Sequence, residues 1–570
     1  MKNSALRWLW AVPGKKKMHI LALTAVQAFH GASGVLYALL LRAIVDAAAG
    51  GDGGGFWRGI ALIVLLAAAQ LALRAVIRWL TEFAKATFEN LFKVRLTETL
   101  LRRDYLRVSA VHSAEWLNRL TNDTVVVTNG YVDIVPGLVG MAVKLLSALA
   151  MIIAMEPRFA AVLIPVGGAL AAGTWFFRKV LKRLHKTVQE ADGRLRVFLQ
   201  ERIGSMLMIR SFAAEAKTGE DAEAEMQAHK AARMRKNRFS NLCNIGFGAA
   251  MSGMYLLGVG WCGYGILTGT VTFGTLTAVT QLISQIQTPF ANITGYLPRY
   301  YAMLASAERL MEAESFPEDG EEAGPLEEMA AFYADELQSI GLENVCFTYY
   351  PAAGEADAGK DGMPVVLRDL TLEIRKGEYV AFTGQSGCGK STALKLLMCV
   401  CAPDGGERYY TEKSGRRGAL TAAYRRLFAY VPQGNALMNG TIREVVSFAE
   451  PSAARDEARL QHALRAACAD RFVAELEQGV DTLLGERGAG LSEGQMQRLA
   501  VARAVFSGSP ILLLDEATGA LDAETERKLL RNLREMTDRT VVIVTHRPAA
   551  FAICDRVVEF TESGVRSRDT

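Results

Sequence analysis

The sequence predicts a multi-domain membrane protein, in which an all-α domain of six transmembrane helices is followed by an α/β domain. Half of the 570 residues are hydrophobic and the mean hydropathy is +0.14, which is high for a chain with 22% charged residues. Residues 239–298 contain no Asp, Glu, Lys or Arg. The C-terminal part instead combines a glycine-rich loop pattern with short apolar runs, which are typical of buried parallel strands.

The positions of the apolar residues predict six membrane spans. Residues 239–298 are long enough to cross a bilayer twice, with Thr268, Gly269 and Thr270 as the turn. The other predicted spans are residues 18–41, 56–80, 131–155 and 159–177. The turn at residues 156–158 is so short that the third and fourth spans are expected to form an antiparallel hairpin.

Charge predicts the orientation of these spans in the cell membrane. Basic residues cluster at positions 15–17, 102–103, 178–183 and 233–238, whereas the loops at 43–55, 156–158 and 268–272 have almost no Lys or Arg. Because positive loops stay in the cytoplasm, both termini and the α/β domain are expected there. The net charge of +4 is mostly explained by these loops, and it gives no reason to expect nucleic-acid binding.

Three regions follow from this pattern. Residues 1–311 are the predicted transmembrane domain, whose helices extend into the cytosol because apolar residues recur at helical spacing in 81–127 and 179–238. Residues 312–337 are the predicted linker, which begins with an acidic stretch containing Gly and Pro. Residues 338–570 are the predicted α/β domain.

Residues 384–391 read GQSGCGKS and match the P-loop pattern GxxxxGKS. In such a loop the glycines let backbone N–H groups turn toward the phosphates of a nucleotide. Lys390 is expected to reach the β- and γ-phosphates, and the Ser391 hydroxyl to bind Mg²⁺. The helix that follows offers its positive N-terminal end to the same phosphates.

Two apolar runs end in polar residues that suit phosphate chemistry. Residues 511–516 read ILLLDE, and residues 541–546 read VVIVTH. Asp515 is expected to hold Mg²⁺, directly or through water, and Glu516 to polarise the attacking water as general base. Both runs are predicted to be buried strands, with these residues at their C-terminal ends.

Residues 491–495 read LSEGQ, one residue away from the LSGGQ signature of ATP-binding-cassette (ABC) proteins. With the P-loop before this signature and the two strand motifs after it, the chain resembles the type IV, or exporter-fold, ABC half-transporters. This resemblance is specific to motifs in residues 338–570 and extends to the six-span plan of the rest. It implies that the C-terminal domain is a P-loop ABC ATPase that uses ATP and Mg²⁺.

The resemblance also assigns roles to single residues. Glu516 and His546 are the implied catalytic residues, and Mg²⁺ is implied to be held by Ser391, Gln433 and Asp515. The residues implied to bind ATP are Tyr349, Gly384, Gln385, Ser386, Gly387, Cys388, Gly389, Lys390, Ser391, Thr392, Gln433, Ser492, Gly494, Gln495 and Asp522.

One of these assignments has two alternatives. The family places an aromatic residue under the adenine ring, usually in an F-x-Y-P stretch, but this chain reads FTYYP from Phe347 to Pro351. Tyr349 fits the spacing from Phe347, whereas Tyr350 fits the spacing to Pro351. Tyr349 is the preferred residue, and residues 351–363 are expected to form a surface loop.

The resemblance implies a dimer, because each ATP lies between the P-loop of one subunit and the signature of the other. This chain has one of each, so it needs a second half-transporter subunit. A homodimer is favoured because the catalytic residues are intact, and a heterodimer remains open. Two cytosolic turns, near residues 109–117 and 208–215, are implied to dock on the ATPase.

The expected function is ATP-driven export of a lipophilic or amphipathic small molecule, lipid or peptide. An importer on the same fold, for example for metal–chelate complexes, and an ATP-gated channel or regulator remain alternatives. A soluble ABC ATPase of DNA repair or translation would lack the uncharged residues 239–298. The sequence does not identify the substrate.

Lys144 lies midway along the third predicted span, where a charge costs about 2.5–3.5 kcal/mol on insertion scales. Its side chain is therefore expected to face a cavity or a partner. It could bind an anionic or carbonyl-bearing substrate, or it could form a structural ion pair or a polar contact between helices.

Overall fold

The computed structural model describes residues 2–293, 295–350, 363–434, 437–485, 490–536, 538–561 and 564–569. The chain forms two compact units. Unit 1 comprises Met1–Val94 and Thr121–Met311, and unit 2 comprises Arg95–Leu120 and Glu312–Thr570. The segment Arg95–Leu120 therefore packs with the C-terminal part of the chain, although its position in the sequence led us to include it in the transmembrane domain.

The described residues from Lys2 to Ser315 are mainly helical. The helices are α1 (Lys2–Ala11), α2 (Lys17–Ala49), α3 (Gly53–Arg102), α4 (Tyr105–Ala110), α5 (Ser113–Asn118), α6 (Thr124–Met155), α7 (Pro157–Gly204), α8 (Met206–Ser211), α9 (Glu215–Leu267), α10 (Phe273–Ile293) and α11 (Tyr296–Ser315). The predicted hairpin between α6 and α7 is confirmed, since Glu156 alone separates them. The predicted extension of the membrane helices beyond their apolar segments is confirmed as well.

The predicted loop at residues 43–55 is wrong in its bounds, because α2 continues to Ala49 and α3 begins at Gly53. Residues 46–49 read DAAA, and alanine has the highest helix propensity. The carboxylate of Asp46 also accepts hydrogen bonds from Gly274 N at 2.8 Å and Thr272 Oγ1 at 3.1 Å. These bonds fix the end of α2 beside the start of α10.

Four helical stretches in the described residues are long and apolar enough to cross a membrane: Gly14–Ala49, Gly53–Arg102, Ser113–Met155 and Glu215–Leu267. The other two predicted spans lie on α7 and α10. The apolar part of α7 is described only as Pro157–Gly168, and α10 is rich in Thr and Gln, which lower its hydropathy without adding charge. Those two spans stay predictions.

Unit 2 is built from the remaining elements. Its helices are α12 (Leu326–Ala331), α13 (Lys390–Leu397), α14 (Ile442–Val446), α15 (Glu457–Ala466), α16 (Asp470–Ala474), α17 (Glu493–Phe506), α18 (Ala523–Arg534) and α19 (Pro548–Phe551). Its strands are β1 (Leu337–Phe347), β2 (Leu367–Arg375), β3 (Tyr379–Gly384), β4 (Gly405–Glu412), β5 (Arg417–Ala419), β6 (Phe428–Val431), β7 (Gly440–Thr441), β8 (Leu483–Leu484), β9 (Ile511–Asp515), β10 (Thr540–Val544), β11 (Arg556–Thr561) and β12 (Gly564–Asp569).

Two main sheets form in the described part of unit 2. One has the strand order β12-β11-β3-β10-β9-β6, in which all neighbours are parallel except β11 and β12. The other is antiparallel, with the order β2-β1-β4-β5. Every residue of β9 and β10 is buried, which confirms the predicted buried strands. The surface loop expected at residues 351–363 lies almost entirely outside the described residues.

Candidate nucleotide-binding site

The parallel sheet brings the predicted motifs to one edge. Val544 at the end of β10 is in register with Asp515 at the end of β9 and with Phe382 near the end of β3. The P-loop follows β3, Glu516 follows β9, and His546 follows β10 by two residues. Ligands of open α/β sheets bind at the carboxyl ends of the strands. Here this edge carries a phosphate-binding loop, two carboxylates and an exposed histidine.

Two glycines give the P-loop its path. Gly384 has φ +130°, and a Cβ there would lie 2.3 Å from the backbone oxygen of Phe560. Gly389 has φ +94°, and a Cβ there would lie 2.3 Å from Leu367 Cδ2. Both positions combine a backbone conformation that favours glycine with a close approach of neighbouring atoms. The pattern GxxxxGKS thus has a steric reason in this chain as well as a chemical one.

Lys390 and Thr392 lie at the start of α13 and are both buried. Lys390 Nζ donates to the backbone oxygens of Gly384 at 2.7 Å and Gln385 at 2.8 Å. The ammonium group therefore points into the loop. When a nucleotide binds, its phosphates would replace these carbonyl oxygens as hydrogen-bond acceptors of Lys390. The Thr392 hydroxyl hydrogen bonds with the Tyr349 hydroxyl at 3.0 Å.

Tyr349 is therefore the tyrosine that faces the P-loop helix. Its ring packs edge-on against Phe347, with the ring centres 4.9 Å apart. Tyr350 has another partner, since the Arg107 guanidinium lies 4.4 Å from the centre of its ring. The geometry supports the preference for Tyr349 as the residue near the nucleotide.

Asp515 is buried at the end of β9, and only one of its carboxylate oxygens has a partner in the described residues. Tyr430, on the neighbouring strand β6, donates its hydroxyl to Asp515 Oδ2 at 3.0 Å. Burial and, next, the negative charge of Asp515 raise the pKa of Tyr430, so this hydroxyl stays protonated. Asp515 Oδ1 is buried without a hydrogen-bond partner. Such an oxygen suits the binding of a hard cation such as Mg²⁺.

Glu516 has a strained backbone, with φ +52° for a residue that is not glycine. Two backbone hydrogen bonds hold it, from Glu516 N to Val544 O and from Gly519 N to Glu516 O, both at 3.1 Å. Its side chain accepts a hydrogen bond of 2.7 Å from Gln433 Nε2. Strain of this kind is concentrated at functional sites. The structure thus joins two predicted site residues, Glu516 and Gln433, that are far apart in sequence.

The signature residues form the N-terminus of α17. The Ser492 side chain accepts from Gln495 N at 3.3 Å, and the Gln495 side chain accepts from Ser492 N at 2.8 Å, which is a capping box. Gln495 therefore stabilises the helix start, a role that the spacing Ser-x-x-Gln could have predicted. A Cβ on Gly494 would lie 3.0 Å from the backbone oxygen of Ala520. No hydrogen bond joins Ser492 or Gln495 to the P-loop in the described residues.

Residues 519–522 are held in place by contacts that the sequence motifs do not indicate. Arg547, directly after His546, donates to the backbone oxygens of Gly519 at 2.6 Å and Leu521 at 2.9 Å. Arg547 also pairs with the buried Glu526 at 2.9 Å. On the other side, Gln497 of α17 accepts from Ala520 N at 2.9 Å. This segment therefore connects the signature helix to the residue beside His546.

Asp522 caps α18. Its exposed carboxylate accepts from Thr525 N at 2.9 Å and Glu524 N at 3.1 Å, and these bonds, first from Thr525 and then from Glu524, lower the pKa of Asp522. Asp522 is one of the residues predicted to bind ATP. Within one chain, its carboxylate accepts hydrogen bonds from the N-terminus of α18.

The first cytosolic turn was predicted near residues 109–117. Just before it, residues of α4 contact the strands of unit 2, and within it Trp116 packs edge-on against Phe316. Leu106 is buried in the core formed with β1, β2 and β3, and Arg107 stacks on Tyr350. Both belong to the segment Arg95–Leu120. Tyr350 is next to Tyr349, so a segment that precedes the ATPase by more than 200 residues lies beside the candidate adenine site.

Comparison with known proteins agrees with this geometry. The model of the ABC transporter transmembrane region matches residues 20–290, and the ABC transporter ATPase model matches residues 367–519. A bacterial Atm1-family ABC exporter with ATP bound has a similar fold, with a TM-score of 0.75 and 21% identity over 97% of this chain and 95% of that chain.

Among curated proteins, the chain is 29% identical to the leukotoxin translocation ATP-binding protein LktB of Mannheimia glucosida, over 67% of this chain and 52% of LktB. It is 32% identical to the cyclolysin secretion/processing ATP-binding protein CyaB of Bordetella pertussis, over 63% of this chain and 48% of CyaB. The chain thus spans about half the length of the curated relatives it matches.

An apolar helical region fused to a P-loop domain with these strand-end residues defines a membrane protein that carries its own ATP-binding domain. The chain belongs to the ABC transporters, with the transmembrane region and the ATPase domain of the exporter fold in one polypeptide. The resemblance inferred from the P-loop and LSEGQ motifs is confirmed.

Cys388 in the P-loop is expected to react with maleimides in the nucleotide-free protein, and Mg-ATP is expected to protect it. Its thiol is partly exposed, and Lys390 Nζ lies 3.6 Å from the sulfur. An adduct there would fill the loop and block phosphate binding, so ATP hydrolysis should stop. Labelling and residual ATPase activity are measured with and without Mg-ATP.

Most of the other cysteines are buried, so few thiols compete with Cys388 in this test. Cys262, Cys399, Cys401, Cys468 and Cys554 are buried, and burial raises the pKa of Cys401 and Cys554 to about 12, which leaves their thiols protonated and slow to react. The competing thiols are Cys243 and Cys346. Equal inhibition of the parent and a Cys388→Ser variant would show that the sensitive thiol lies elsewhere.

Proposed function

We propose that this chain is one subunit of an ATP-driven exporter that moves a lipophilic or amphipathic small molecule, lipid or peptide across the cell membrane by alternating access. One observation carries the proposal: the P-loop, Asp515, Glu516 and His546 lie at the carboxyl edge of one parallel sheet, in the same chain as a set of apolar helices. The positive loops support a cytoplasmic ATPase domain.

Each site residue then has a task in ATP hydrolysis. Lys390 and the P-loop N–H groups hold the phosphates, and Glu516 accepts a proton from the attacking water while His546 orients it. Ser391, Gln433 and Asp515 would hold Mg²⁺, which neutralises phosphate charge when it is bound. The partnerless Asp515 Oδ1 fits this role.

We also propose that the working form has two chains, and a homodimer is the simplest. Within one chain, Ser492 and Glu493 at the start of α17 are exposed, as expected if they face a nucleotide held by another subunit. In α8 and directly after it, Leu207 and Phe212 are 83% and 77% exposed. Apolar side chains so exposed in a predicted cytosolic turn support an interface with a second copy.

The names of two relatives support the direction of transport, because LktB is named for leukotoxin translocation and CyaB for cyclolysin secretion. The test uses the purified chain in proteoliposomes with the ATPase domain facing outward, and a panel of lipids, peptides and drugs. ATP-dependent accumulation inside the vesicles is expected, and a Glu516→Gln variant should abolish it. ATP-driven loss of preloaded compounds would indicate import, and ATP hydrolysis without movement of any compound would contradict the proposal.

A further inference from the structure

Three basic residues lie at the same level on neighbouring apolar helices of unit 1. Helices α2 and α6 approach closely at Gly31, where a Cβ would lie 2.6 Å from Gly140 O and 3.2 Å from Lys144 N. His30 is therefore at the level of Lys144. Its Nδ1 atom is buried and has no hydrogen-bond partner among the described residues.

Helix α3 brings a second permanent charge to the same level. Gln70 Nε2 donates to Ser33 O at 3.3 Å, which fixes the register between α3 and α2. The two helices are joined by a three-residue turn and run antiparallel. Arg74 lies one turn after Gln70, and His30 lies about one turn before Ser33, so they are neighbours. Accordingly, the charges of Arg74 and Lys144 both act on His30, and the charge of Arg74 acts on Lys144.

This basic cluster, formed by His30, Arg74 and Lys144, has no acidic counterpart in the described residues. Neither Lys144 nor Arg74 forms an ion pair there, and the acidic residue of α6, Asp133, is held by Lys85 at 3.1 Å. The structural ion pair that the sequence left open for Lys144 is therefore not present among these residues.

A second unsatisfied polar atom lies on a neighbouring helix. Gln285 of α10 donates from Nε2 to Gly34 O at 2.7 Å, on the same part of α2. Its Oε1 is buried and has no hydrogen-bond partner in the part of the chain that the structure describes. Positive groups at membrane depth are expensive, and proteins retain them where they face a pathway or bind a counter-charge.

We propose that the basic cluster recognises a negatively charged group of the transported compound, such as a carboxylate, phosphate or sulfonate on an amphipathic molecule. The proposal rests on the transport function above and narrows its substrate class. Lys144 and Arg74 supply positively charged donors, and His30 adds a hydrogen bond from its ring. An uncharged analogue would leave the cations unpaired and should bind more weakly.

The test compares two probes that differ only in charge: a dansyl-labelled undecanoic acid and its neutral primary amide. The full chain is placed in phosphatidylcholine nanodiscs, and the concentration that half-maximally stimulates ATP hydrolysis is measured together with binding from dansyl fluorescence. The acid is expected to act at a lower concentration than the amide. Lys144→Gln and Arg74→Gln should each weaken the response to the acid about tenfold or more, because hydrogen bonds to charged groups are the strong ones.

Two controls separate recognition from damage to the fold. Lys144→Arg keeps the charge and should retain the preference for the acid. Arg58→Gln removes a positive charge from α3, the helix of Arg74, about 24 Å from Arg74 at the rise of an α-helix. This variant should respond to both probes as the parent does. Repeating the measurement with anionic phosphatidylglycerol shows whether a lipid head group competes for the cluster. A lipid that abolishes binding of the acid would make the bilayer the source of the ligand, and would overturn recognition of a transported compound.

Equal responses to acid and amide, an unchanged response to the acid in Lys144→Gln, or no binding of the acid would also overturn the inference. Failure of the proposed transport function would give a different result. A wild-type preparation that binds the acid in a charge-dependent way but neither hydrolyses ATP nor transports would contradict the transport function and leave the anion site standing.

Discussion

Replacing Glu516 by glutamine is expected to leave ATP binding intact and to slow ATP hydrolysis by about 10²–10⁴-fold, the usual cost of losing a general base. The fold should be unaffected, since the new amide oxygen can still accept the hydrogen bond that Gln433 Nε2 donates to Glu516. The unhydrolysed ATP should hold two chains together and populate an outward-facing state, because ATP binds the closed dimer better than the open one.

The measurement compares ATP binding, ATP turnover and dimer closure in the parent and in Glu516→Gln. Glu524→Gln is a matched control, because Glu524 is an exposed carboxylate in the first turn of α18. This variant should behave as the parent. Near wild-type turnover in Glu516→Gln would show that another group is the base.

Replacing Asp515 by asparagine is expected to remove the Mg²⁺-dependent part of ATP affinity and to lower hydrolysis about a hundredfold or more, since a bound metal ion stabilises the transition state by several kcal/mol. Tyr430 donates to one carboxylate oxygen of Asp515, and the other has no hydrogen-bond partner among the described residues. The amide oxygen of the variant would take the bond from Tyr430. Its NH₂ group would then occupy the place of the partnerless oxygen, where it repels a cation.

Nucleotide binding is therefore titrated with and without Mg²⁺ in the parent, Asp515→Asn and Glu516→Gln. Asp515→Asn should bind Mg-free ATP as the parent does but gain little from added Mg²⁺, whereas Glu516→Gln should keep the full Mg²⁺ effect. An undiminished Mg²⁺ effect in Asp515→Asn would assign the metal to other residues.

The strand-end chemistry was predictable because it depends on local patterns. Apolar runs that end in Asp515 and His546, and a GxxxxGKS loop, determine which residues lie at the carboxyl edge of a parallel sheet. The same reasoning could have found Tyr430, which lies on β6, beside β9, three residues before Gln433. It could also have found the capping box of Ser492 and Gln495. The strained backbone of Glu516 was not predictable from the local pattern, since a residue of a neighbouring strand, Val544, accepts the hydrogen bond from Glu516 N.

What the sequence could not predict depends on contacts between distant segments. Leu106 and Arg107 pack against the unit 2 core and Tyr350, although nothing in their local pattern separates them from the helices around them. Lys144 was visible as a charge in an apolar stretch, but Arg74 became part of its surroundings only through the register of α2 and α3. Helix register depends on side-chain packing, and residue spacing alone does not specify it.

The central claim, that two copies of this chain share each ATP, is tested most directly by mixing two inactive variants. Lys390→Ala removes the phosphate-binding lysine and Ser492→Ala removes the signature serine, so each variant alone should hydrolyse little ATP. In a mixed dimer, isolated with two different affinity tags, one site combines both defects and the other is wild type. Because one site is wild type, ATPase activity is expected to recover in part in that dimer. Activity no higher than in either variant alone would contradict it.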